Sequence, residues 1–567
     1  MLYFELIDKN RLKLVKADLN LEKTQFANFF KKKSKASEFN KLVSRGVWDG
    51  YDKFLSKDDT VPVGLWREIY HFSETSKIDV RIKGLDEYLN FDLERIQFDD
   101  FVAQLYAGVK TDKGEDFLPR DYQIEGAYRA LKYKFCCEEI ATSAGKTSLF
   151  YTFNSYLKHI GIIDGLNKAL LIVPNVSLVN QTVDAFKQYS NGFVEWKIQA
   201  LGGDNDSFDF NEFLECNLLI TTYQSLINLI PYCLEKKLSN LIKKGNKEAS
   251  SEKTSEEITR TQLKLGEARE RNICDYFVIV NVDEAHKSRG DSISDILSSC
   301  KNWKYRLGLS GTLKVDEQYS DFFRMQQNIG PLVMTLDAKF LIDNEYSPEI
   351  RIRRVLLQYN DADPAVKEYL NIQRDPKLKK SIKDQFSDPK DFGLYLSDVE
   401  LKIIYDSKPR LDFITNLIEK LSNNILILFS DIKNQYGQQI ANSIRSLEKH
   451  KVFYIDGSIK TGDRDEYKKV MEQEEGVVIV ASYGTFATGI DLKNVFHIVL
   501  AESTKSEITV RQTIGRGMRY LKGKNRVVIW DLIDNLSGYS VRHSEVRLDI
   551  YREQKFTILE DKTVNLK

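Results

Sequence analysis

Residues 141–147 contain small residues followed by Gly145, Lys146 and Thr147, a composition typical of a phosphate-binding loop. They follow a predicted strand and precede a predicted helix, so the backbone N–H groups and the helix N-terminus would face phosphates. Lys146 would reach the β- and γ-phosphates of a nucleotide, and Thr147 would bind Mg²⁺. Since the first glycine of G-x-x-x-x-G-K-[ST] is Ile140 here, the segment alone is also compatible with a surface turn. The other loop residues predicted to contact the nucleotide are Thr142, Ser143, Ala144 and Gly145.

A second candidate, Asp283-Glu284-Ala285-His286, comes directly after the apolar run 277–282. Acids at the carboxyl end of a buried parallel strand lie where such sheets bind ligands. Asp283 would hold Mg²⁺, and Glu284 would orient and deprotonate an attacking water. The alternative is an exposed acidic turn that caps the next helix. The order, with the phosphate loop first and the acidic strand end second, favours ATP hydrolysis with Lys146 and Glu284 as catalytic residues.

A third candidate is the basic segment 512–519, in which Arg516 and Arg519 lie three residues apart and therefore on one helix face. Arginine suits a transferring phosphoryl group because its guanidinium stays charged and can bind two oxygens at once. Both arginines are therefore predicted to be catalytic. A basic helix face that meets solvent or a phosphodiester backbone is the alternative for this segment.

Short apolar runs alternate with stretches of helical length on both sides of about residue 340. This alternation predicts an α/β fold with two domains, each a parallel sheet covered by helices on both faces. The region before about residue 112 predicts a small α+β domain. Two charged stretches are predicted insertions: 235–272 as an exposed helical segment or a mobile loop, and about 361–408 as an insertion or lid. The predicted domains are 1–112, 113–335, 336–540 and a C-terminal extension, 541–567.

Composition limits the class of protein. The chain has 567 residues, 42% of them hydrophobic, which is enough for several domain cores. Lys plus Arg number 83 and Asp plus Glu also number 83, so any nucleic-acid binding must come from local patches. Six cysteines without a C-x-x-C pair argue against a disulfide scaffold or structural zinc. No apolar run approaches the roughly 20 residues that span a bilayer, and the first residues lack a secretory signal, so we expect a cytoplasmic protein without a membrane partner.

Taken together, these segments resemble the superfamily-two helicases and translocases over about residues 118–540. They follow the family's order: 120–123 resembles the adenine-reading Q motif, 141–147 motif I, 283–286 motif II, 310–312 motif III, 488–491 motif V and 512–519 motif VI. The resemblance implies two RecA-like domains that use ATP and Mg²⁺. It implies metal ligation by Thr147 and Asp283. It also implies nucleotide contacts for Arg120, Gln123, Asp283, His286, Gly489, Asp491 and Gln512.

Other segments match the family's nucleic-acid contacts, which lie at strand ends and position a strand without reading its sequence. For each of them, a helix N-cap or loop role is about equally compatible with the sequence. In the N-terminal region, the basic cluster 31–35 and the aromatic residues Trp48, Tyr51 and Phe54 could bind an unpaired base, with a small hydrophobic core as the alternative. The matching residues are Pro174, Asn175, Gln181, Gly202, Gly203, Thr222, Tyr223, Gln224, Ser430, Ser482 and Tyr483, to which Trp48 is added.

Within the family, the resemblance is to bacteriophage helicases, on segments 47–50, 61–65, 481–490, 512–516 and 528–534. It implies an ATP-dependent DNA helicase with 3′ to 5′ polarity that remodels forks, Holliday junctions, D-loops and R-loops in recombination, repair and replication. The partner would be branched DNA or an RNA–DNA hybrid, in the cytoplasm of an infected host. The alternatives are a translocase on duplex DNA that does not separate strands, an RNA helicase, and a non-catalytic annealing or clamp protein. The intact Lys146, Glu284 and Arg516 argue against the last of these.

Overall fold

The structure, a computed structural model, describes residues 1–566 apart from 36, 38–42, 44, 90, 112–113, 203–207, 246–251, 314–318, 387–388, 431–434, 488–491, 503–506, 520, 522 and 537. The chain divides into two compact units. One comprises Met1–Ile140 and Gly145–Leu336, and the other comprises Ala141–Ala144 and Asp337–Lys567. None of the helices in the described ranges is both long and apolar enough to cross a bilayer.

The N-terminal region of the first unit is a mixed sheet with helices. In β2 buried and exposed side chains alternate, as expected of a strand with one covered face. The strands are β1 (Leu2–Asp8), β2 (Arg11–Ala17), β5 (Thr60–Pro62) and β6 (Val80–Lys83), with the ribbon β3 (Lys31–Lys33) and β4 (Tyr51–Lys53). The helices are α1 (Asn20–Phe29), α2 (Trp66–Ser76), α3 (Leu85–Leu89) and α4 (Arg95–Leu105). The sheet order is β5-β2-β1-β6, with β1 antiparallel to β2 and parallel to β6.

A parallel sheet forms the rest of the first unit. Three of its strands, β8, β10 and β11, correspond to predicted apolar runs, and nearly all of their side chains are buried, as expected of central strands in a parallel sheet. The strands are β7 (Phe135–Ile140), β8 (Lys168–Val173), β9 (Ile198–Leu201), β10 (Leu218–Thr222), β11 (Phe277–Asp283), β12 (Tyr305–Ser310) and β13 (Leu332–Leu336). The helices are α5 (Asp121–Tyr133), α6 (Lys146–His159), α7 (Val176–Tyr189), α8 (Phe210–Glu215), α9 (Tyr223–Leu226), α10 (Pro231–Gly245), α11 (Glu252–Glu270), α12 (Asp291–Ser299) and α13 (Ser320–Asn328). The sheet order is β13-β7-β12-β11-β8-β10-β9.

The charged stretch 235–272 contains most of α10 and all of α11. These helices pack on each other around the buried side chains Leu234, Leu265 and Ala268. The two helices therefore bury a small apolar cluster between them.

The second unit has another parallel sheet, with strand order β16-β17-β15-β18-β19-β14-β20 and with β21 also paired to β14. Its strands are β14 (Glu349–Gln358), β15 (Ile425–Phe429), β16 (Lys451–Ile455), β17 (Val477–Ser482), β18 (His497–Leu500), β19 (Arg526–Asp534), β20 (Thr557–Ile558) and β21 (Lys562–Asn565). Its helices are α14 (Ala338–Asp343), α15 (Pro364–Arg374), α16 (Pro376–Lys383), α17 (Pro389–Asp406), α18 (Lys408–Lys420), α19 (Tyr436–Arg445), α20 (Thr461–Gln473), α21 (Tyr483–Ala487), α22 (Glu507–Gly517) and α23 (Gly538–Glu553). The predicted α/β class, with parallel sheets and helices on both faces, is confirmed.

The N-terminal region packs tightly against α13 of the first unit. The ring of Phe323 lies 5.8 Å from that of Phe30 and 5.2 Å from that of Phe54. A Cβ atom on Gly64 would lie 2.0 Å from the carbonyl oxygen of Gln326. The backbones of the two segments therefore approach so closely that only glycine fits at position 64. The N-terminal sheet and the first parallel sheet therefore share one hydrophobic core. Phe54 is a buried part of it, so the prediction that its ring could stack on an unpaired base is wrong.

Glu138, in β7, is fully buried, and neither of its carboxylate oxygens has a hydrogen-bond partner among the described residues. A Cβ on Gly126 of α5 would lie 2.7 Å from one of these oxygens, so the side chain sits directly against that helix. Burial raises the pKa of Glu138 well above its usual 4.5. Burial therefore favours the neutral form of this carboxyl in the folded protein.

Replacing Glu138 with methionine is expected to stabilise the protein at pH 8 by about 1–3 kcal/mol, because an unpaired buried polar group is removed. Because the folded state binds this proton more tightly than the unfolded state does, the wild type gains stability as the pH falls, and the advantage of the variant should shrink towards pH 5. Thermal unfolding of both proteins at pH 5 and pH 8 measures the difference. Glu74→Met, at an exposed position of α2, serves as the control. A variant that is less stable than the wild type at pH 8 would contradict the assignment.

Candidate functional site

The predicted phosphate loop joins the end of β7 to the start of α6. Gly145 has a φ of +78°, and a Cβ there would lie 2.2 Å from the Nε2 atom of Gln123. The loop backbone therefore rests directly on the buried Gln123 side chain, whose Oε1 accepts a hydrogen bond from the backbone N–H of Arg120 at 2.8 Å. Ile140, at the position of the missing glycine, is a buried strand residue. The structure thus brings the predicted nucleotide contacts Gln123 and Gly145 together.

The predicted catalytic lysine and the two acids lie together. The Nζ atom of Lys146 is 3.2 Å from Oε1 of Glu284 and 3.9 Å from Oδ1 of Asp283. All three side chains are only 14–17% exposed. Asp283 is the last residue of β11, and Glu284 turns the chain sharply with a φ of +52°. The strand end therefore presents both carboxylates to the start of α6.

His286 and the end of β12 form a polar network behind Glu284. The Nδ1 atom of His286 lies 2.8 Å from the hydroxyl of Ser310 and 3.2 Å from that of Thr312. The Ser310 hydroxyl also donates to Oε2 of Glu284 at 3.1 Å. The segments predicted as motifs II and III are thereby linked, and Glu284 is held from two sides.

The two acids differ in their electrostatic surroundings. Burial raises the pKa of Asp283 above its usual 3.8, the nearby Lys146 ammonium opposes this, and the charge of Glu284 adds to the rise. Burial also acts to raise the pKa of Glu284, but Lys146 and the neighbouring His286 outweigh it and hold that pKa below the usual 4.5. The lowered pKa favours the ionised form of Glu284, as the role of a general base requires.

The residues of this site fit a nucleoside triphosphate and a divalent cation. The loop has a glycine where no Cβ can be accommodated, and Lys146 offers a positive charge next to the helix N-terminus. Thr147 and Asp283 contribute a hydroxyl and a carboxylate, the oxygen ligands that Mg²⁺ prefers. When bound, the cation would neutralise charge on the phosphates.

Two sequence profiles of protein families match the chain. The profile described as type III restriction enzyme, res subunit, matches residues 116–315, and the helicase conserved C-terminal domain matches residues 409–521. Among curated proteins, the ATP-dependent DNA helicase uvsW of Enterobacteria phage T4 is 27% identical over 566 residues, which cover 96% of this chain and 95% of that protein. The chain is a superfamily-two helicase that resembles UvsW.

Solved structures are also similar to this helicase. The crystal structure of T4 UvsW has 23% identity and a TM-score of 0.45, and the alignment covers 100% of both chains. The DNA-bound type ISP restriction-modification enzyme LlaBIII has 13% identity and a TM-score of 0.52, covering 88% of this chain and 34% of that one. The latter similarity concerns the fold. The prediction of a superfamily-two helicase that hydrolyses ATP is confirmed, and this relationship implies ATP and a divalent cation as cofactors.

The nucleic-acid contacts predicted in the helicase's first parallel sheet follow the carboxyl ends of β8, β9 and β10. Two of the side chains cap helices: Asn175 accepts from the N–H of Leu178 at 3.0 Å, and Thr222 accepts from that of Ser225 at 3.2 Å. These two side chains therefore have the N-cap role that was the alternative to a nucleic-acid contact. The other predicted contacts at these ends are Pro174, Gly202, Tyr223 and Gln224, whereas Gln181 lies within α7.

In the second unit, Ser430 is exposed immediately after β15. Ser482 and Tyr483 are buried: the Ser482 hydroxyl donates to that of Thr485 at 2.9 Å, and the Tyr483 hydroxyl donates to the carbonyl of Glu502 at 3.3 Å. Arg519 is partly buried just after α22. Residues Gly203, Gly489 and Asp491 and the side chains of Gln512 and Arg516 lie outside what the structure describes.

Trp48 is half-buried, and its indole N–H donates to the carbonyl of Tyr51 at 3.0 Å. Tyr51 is 40% exposed, with the Lys31 ammonium 4.7 Å from its ring centre.

Two buried asparagines near the ATP site, Asn154 and Asn281, were not predicted from the sequence. The available signal was a polar amide inside an otherwise apolar strand, Phe277–Asp283.

Proposed function

We propose that this helicase unwinds or branch-migrates branched DNA: forks, Holliday junctions, D-loops and R-loops. Its cofactors would be ATP and Mg²⁺, and it would serve recombination, repair and replication of a phage in the cytoplasm of the infected host. The proposal rests on the 27% sequence identity to the T4 DNA helicase UvsW, over 96% of the chain. A match of this extent includes the N-terminal region as well as the two parallel-sheet domains.

The arrangement at Lys146 suggests how hydrolysis would proceed. Its ammonium pairs with Glu284 at 3.2 Å, so phosphate oxygens would compete with that carboxylate for the same cation. Once Lys146 turns to phosphate, Glu284 would be free to orient a water and accept its proton. Ser310 would keep the Glu284 carboxylate in place by its hydrogen bond. We assign to Arg516 and Arg519 the stabilisation of charge on the transferring phosphoryl group.

The remaining predicted contacts form the proposed nucleic-acid track. The strand ends after β8, β9, β10 and β15 would bind the backbone, because short polar side chains and N–H groups suit phosphate. We propose residues 1–112 as an accessory DNA-binding domain, with Trp48, Tyr51 and the basic residues of 31–35 as its contact surface. Tyr51 is the most exposed aromatic residue of the three first considered there.

A translocase that moves on duplex DNA without separating strands is the second candidate. It is favoured by the match of residues 116–315 to the res subunit of type III restriction enzymes. It uses the same ATP site, so the two candidates differ in which nucleic acid stimulates turnover and in whether the strands are separated.

The test is the ATPase rate at one low salt concentration with matched amounts of single-stranded DNA, duplex, forked DNA, a four-way junction and RNA. Salt must be fixed because backbone binding depends on it. We expect forked and four-way DNA to give the largest stimulation. Equal stimulation by plain duplex would favour the translocase, stimulation by RNA alone would indicate an RNA helicase, and no turnover with any of them would refute both candidates.

A further inference from the structure

Two buried asparagines join the phosphate-loop helix to the strand that carries the catalytic acids. The Nδ2 atom of Asn281, in β11, donates to Oδ1 of Asn154, in α6, at 2.9 Å, and to the carbonyl of Leu170 at 3.2 Å. The Nδ2 atom of Asn154 donates to the carbonyl of Phe150 at 2.7 Å. Both side chains are 0% exposed.

The position of each asparagine along its element matters. Asn281 precedes Asp283 by two residues, so their side chains leave the strand on the same face. Asn154 follows Thr147 by seven residues, which is about two helical turns, so these two side chains lie on the same face of α6. The hydrogen bond therefore joins the two faces that carry the proposed cation ligands Thr147 and Asp283.

An apolar pair would pack at these positions without the cost of burying two amides. The Oδ1 atom of Asn281 has no hydrogen-bond partner among the described residues, so the amide pair is not fully compensated. Apolar side chains can slide past each other, whereas a hydrogen bond fixes both distance and direction. The directional hydrogen bond therefore suits the pair to positioning α6 against β11 more than to stabilising the fold.

We propose that Asn154 and Asn281 are positioning residues for ATP hydrolysis. Their hydrogen bond sets the register of α6 against β11, and with it the spacing at which Thr147 and Asp283 share a divalent cation. The inference rests on the proposed roles of Thr147 and Asp283, and it does not depend on which nucleic acid is the substrate.

The test is the double variant Asn154→Leu/Asn281→Leu, which replaces both amides by apolar groups of similar size and leaves neither unpaired. We expect its thermal unfolding midpoint to stay within a few degrees of the wild type. The kcat for ATP should fall roughly 10- to 100-fold, the usual effect of losing a group that orients a metal ligand. The affinity for a fluorescent ATP analogue should be unchanged without Mg²⁺, while the tightening produced by Mg²⁺ should be lost.

The matched control is the pair Thr415 and Ser443 in the second unit, whose hydroxyls lie 2.7 Å apart. Thr415→Val/Ser443→Ala should leave kcat and the Mg²⁺ effect unchanged. If the leucine pair does not fold, Asn154→Ala/Asn281→Val removes the same hydrogen bond with smaller side chains and is held to the same expectations. A folded double variant with wild-type kcat and Mg²⁺ response would overturn the inference while ATP turnover by the wild type still stands. A wild type without ATP turnover would refute the proposed function and this inference with it.

Discussion

Replacing Glu284 with glutamine is expected to lower ATP turnover by about 10²–10⁴-fold, the usual contribution of a positioned general base. The amide keeps the shape of the side chain and can still accept the hydrogen bond from Ser310, but it cannot take a proton from water. ATP binding should be retained, because the loop, Lys146 and Asp283 are untouched. The measurement is steady-state hydrolysis with DNA present, together with equilibrium binding of a fluorescent ATP analogue.

Glu215→Gln, at an exposed position of α8, is the control for this substitution and should leave both quantities unchanged. Unchanged turnover in the Glu284 variant would remove this residue from the catalytic site. Loss of nucleotide binding instead of turnover would mean that Glu284 holds Lys146 in place rather than acting as the base.

Replacing Arg410 with methionine is expected to destabilise the second unit by about 3–5 kcal/mol, the range measured when one partner of a buried ion pair is removed. The Arg410 guanidinium is fully buried and donates to both carboxylate oxygens of Asp534, at 2.6 and 2.9 Å, and to the carbonyl of Ala501 at 2.7 Å. The Tyr359 hydroxyl also donates to Asp534 at 2.7 Å. Without Arg410, the Asp534 carboxylate would be left buried with too few partners.

The measurement is hydrogen exchange of the β19 amides during denaturant titration, which follows the second unit by itself. Arg351→Met is the matched control: this arginine pairs with Glu349 at 2.8 Å, but both side chains are about one-third exposed. Its loss should cost less than about 1 kcal/mol. Arg410→Met/Asp534→Leu should recover much of the stability, because no unpaired charge remains. An effect of Arg410→Met as small as that of the control would mean that the buried Arg410–Asp534 pair does not stabilise the second unit.

The sequence predicted the parts of the helicase that local patterns determine. Fully apolar runs such as β15 and β17 could be identified as buried parallel strands because no solvent-facing side chain interrupts them. The acids of the ATP site could be located because they follow an apolar strand, and the lysine because it follows a loop of recognisable composition and begins a helix. The structure places Lys146 and Glu284 3.2 Å apart, although they are 138 residues apart in the sequence.

Features that depend on distant packing could not be predicted. Phe54 has the same local surroundings as an exposed aromatic residue, and only its contact with Phe323, far along the chain, shows that it is buried. Glu138 and Asn281 interrupt apolar strands, and a sequence pattern does not tell whether such a polar residue finds a partner. The two short strands β20 and β21 pair with β14, about 200 residues earlier, although their sequences are mostly polar and exposed.

The proposed remodelling of branched DNA can be tested by a strand-separation assay on a synthetic four-way DNA junction, with ATP and Mg²⁺, beside Glu284→Gln and the ATP-free protein. This proposal predicts that the wild type converts the junction into branched or duplex products only with ATP, and that the Glu284 variant does not. A wild type that hydrolyses ATP rapidly on DNA but leaves the junction, a forked DNA and a D-loop intact would contradict it.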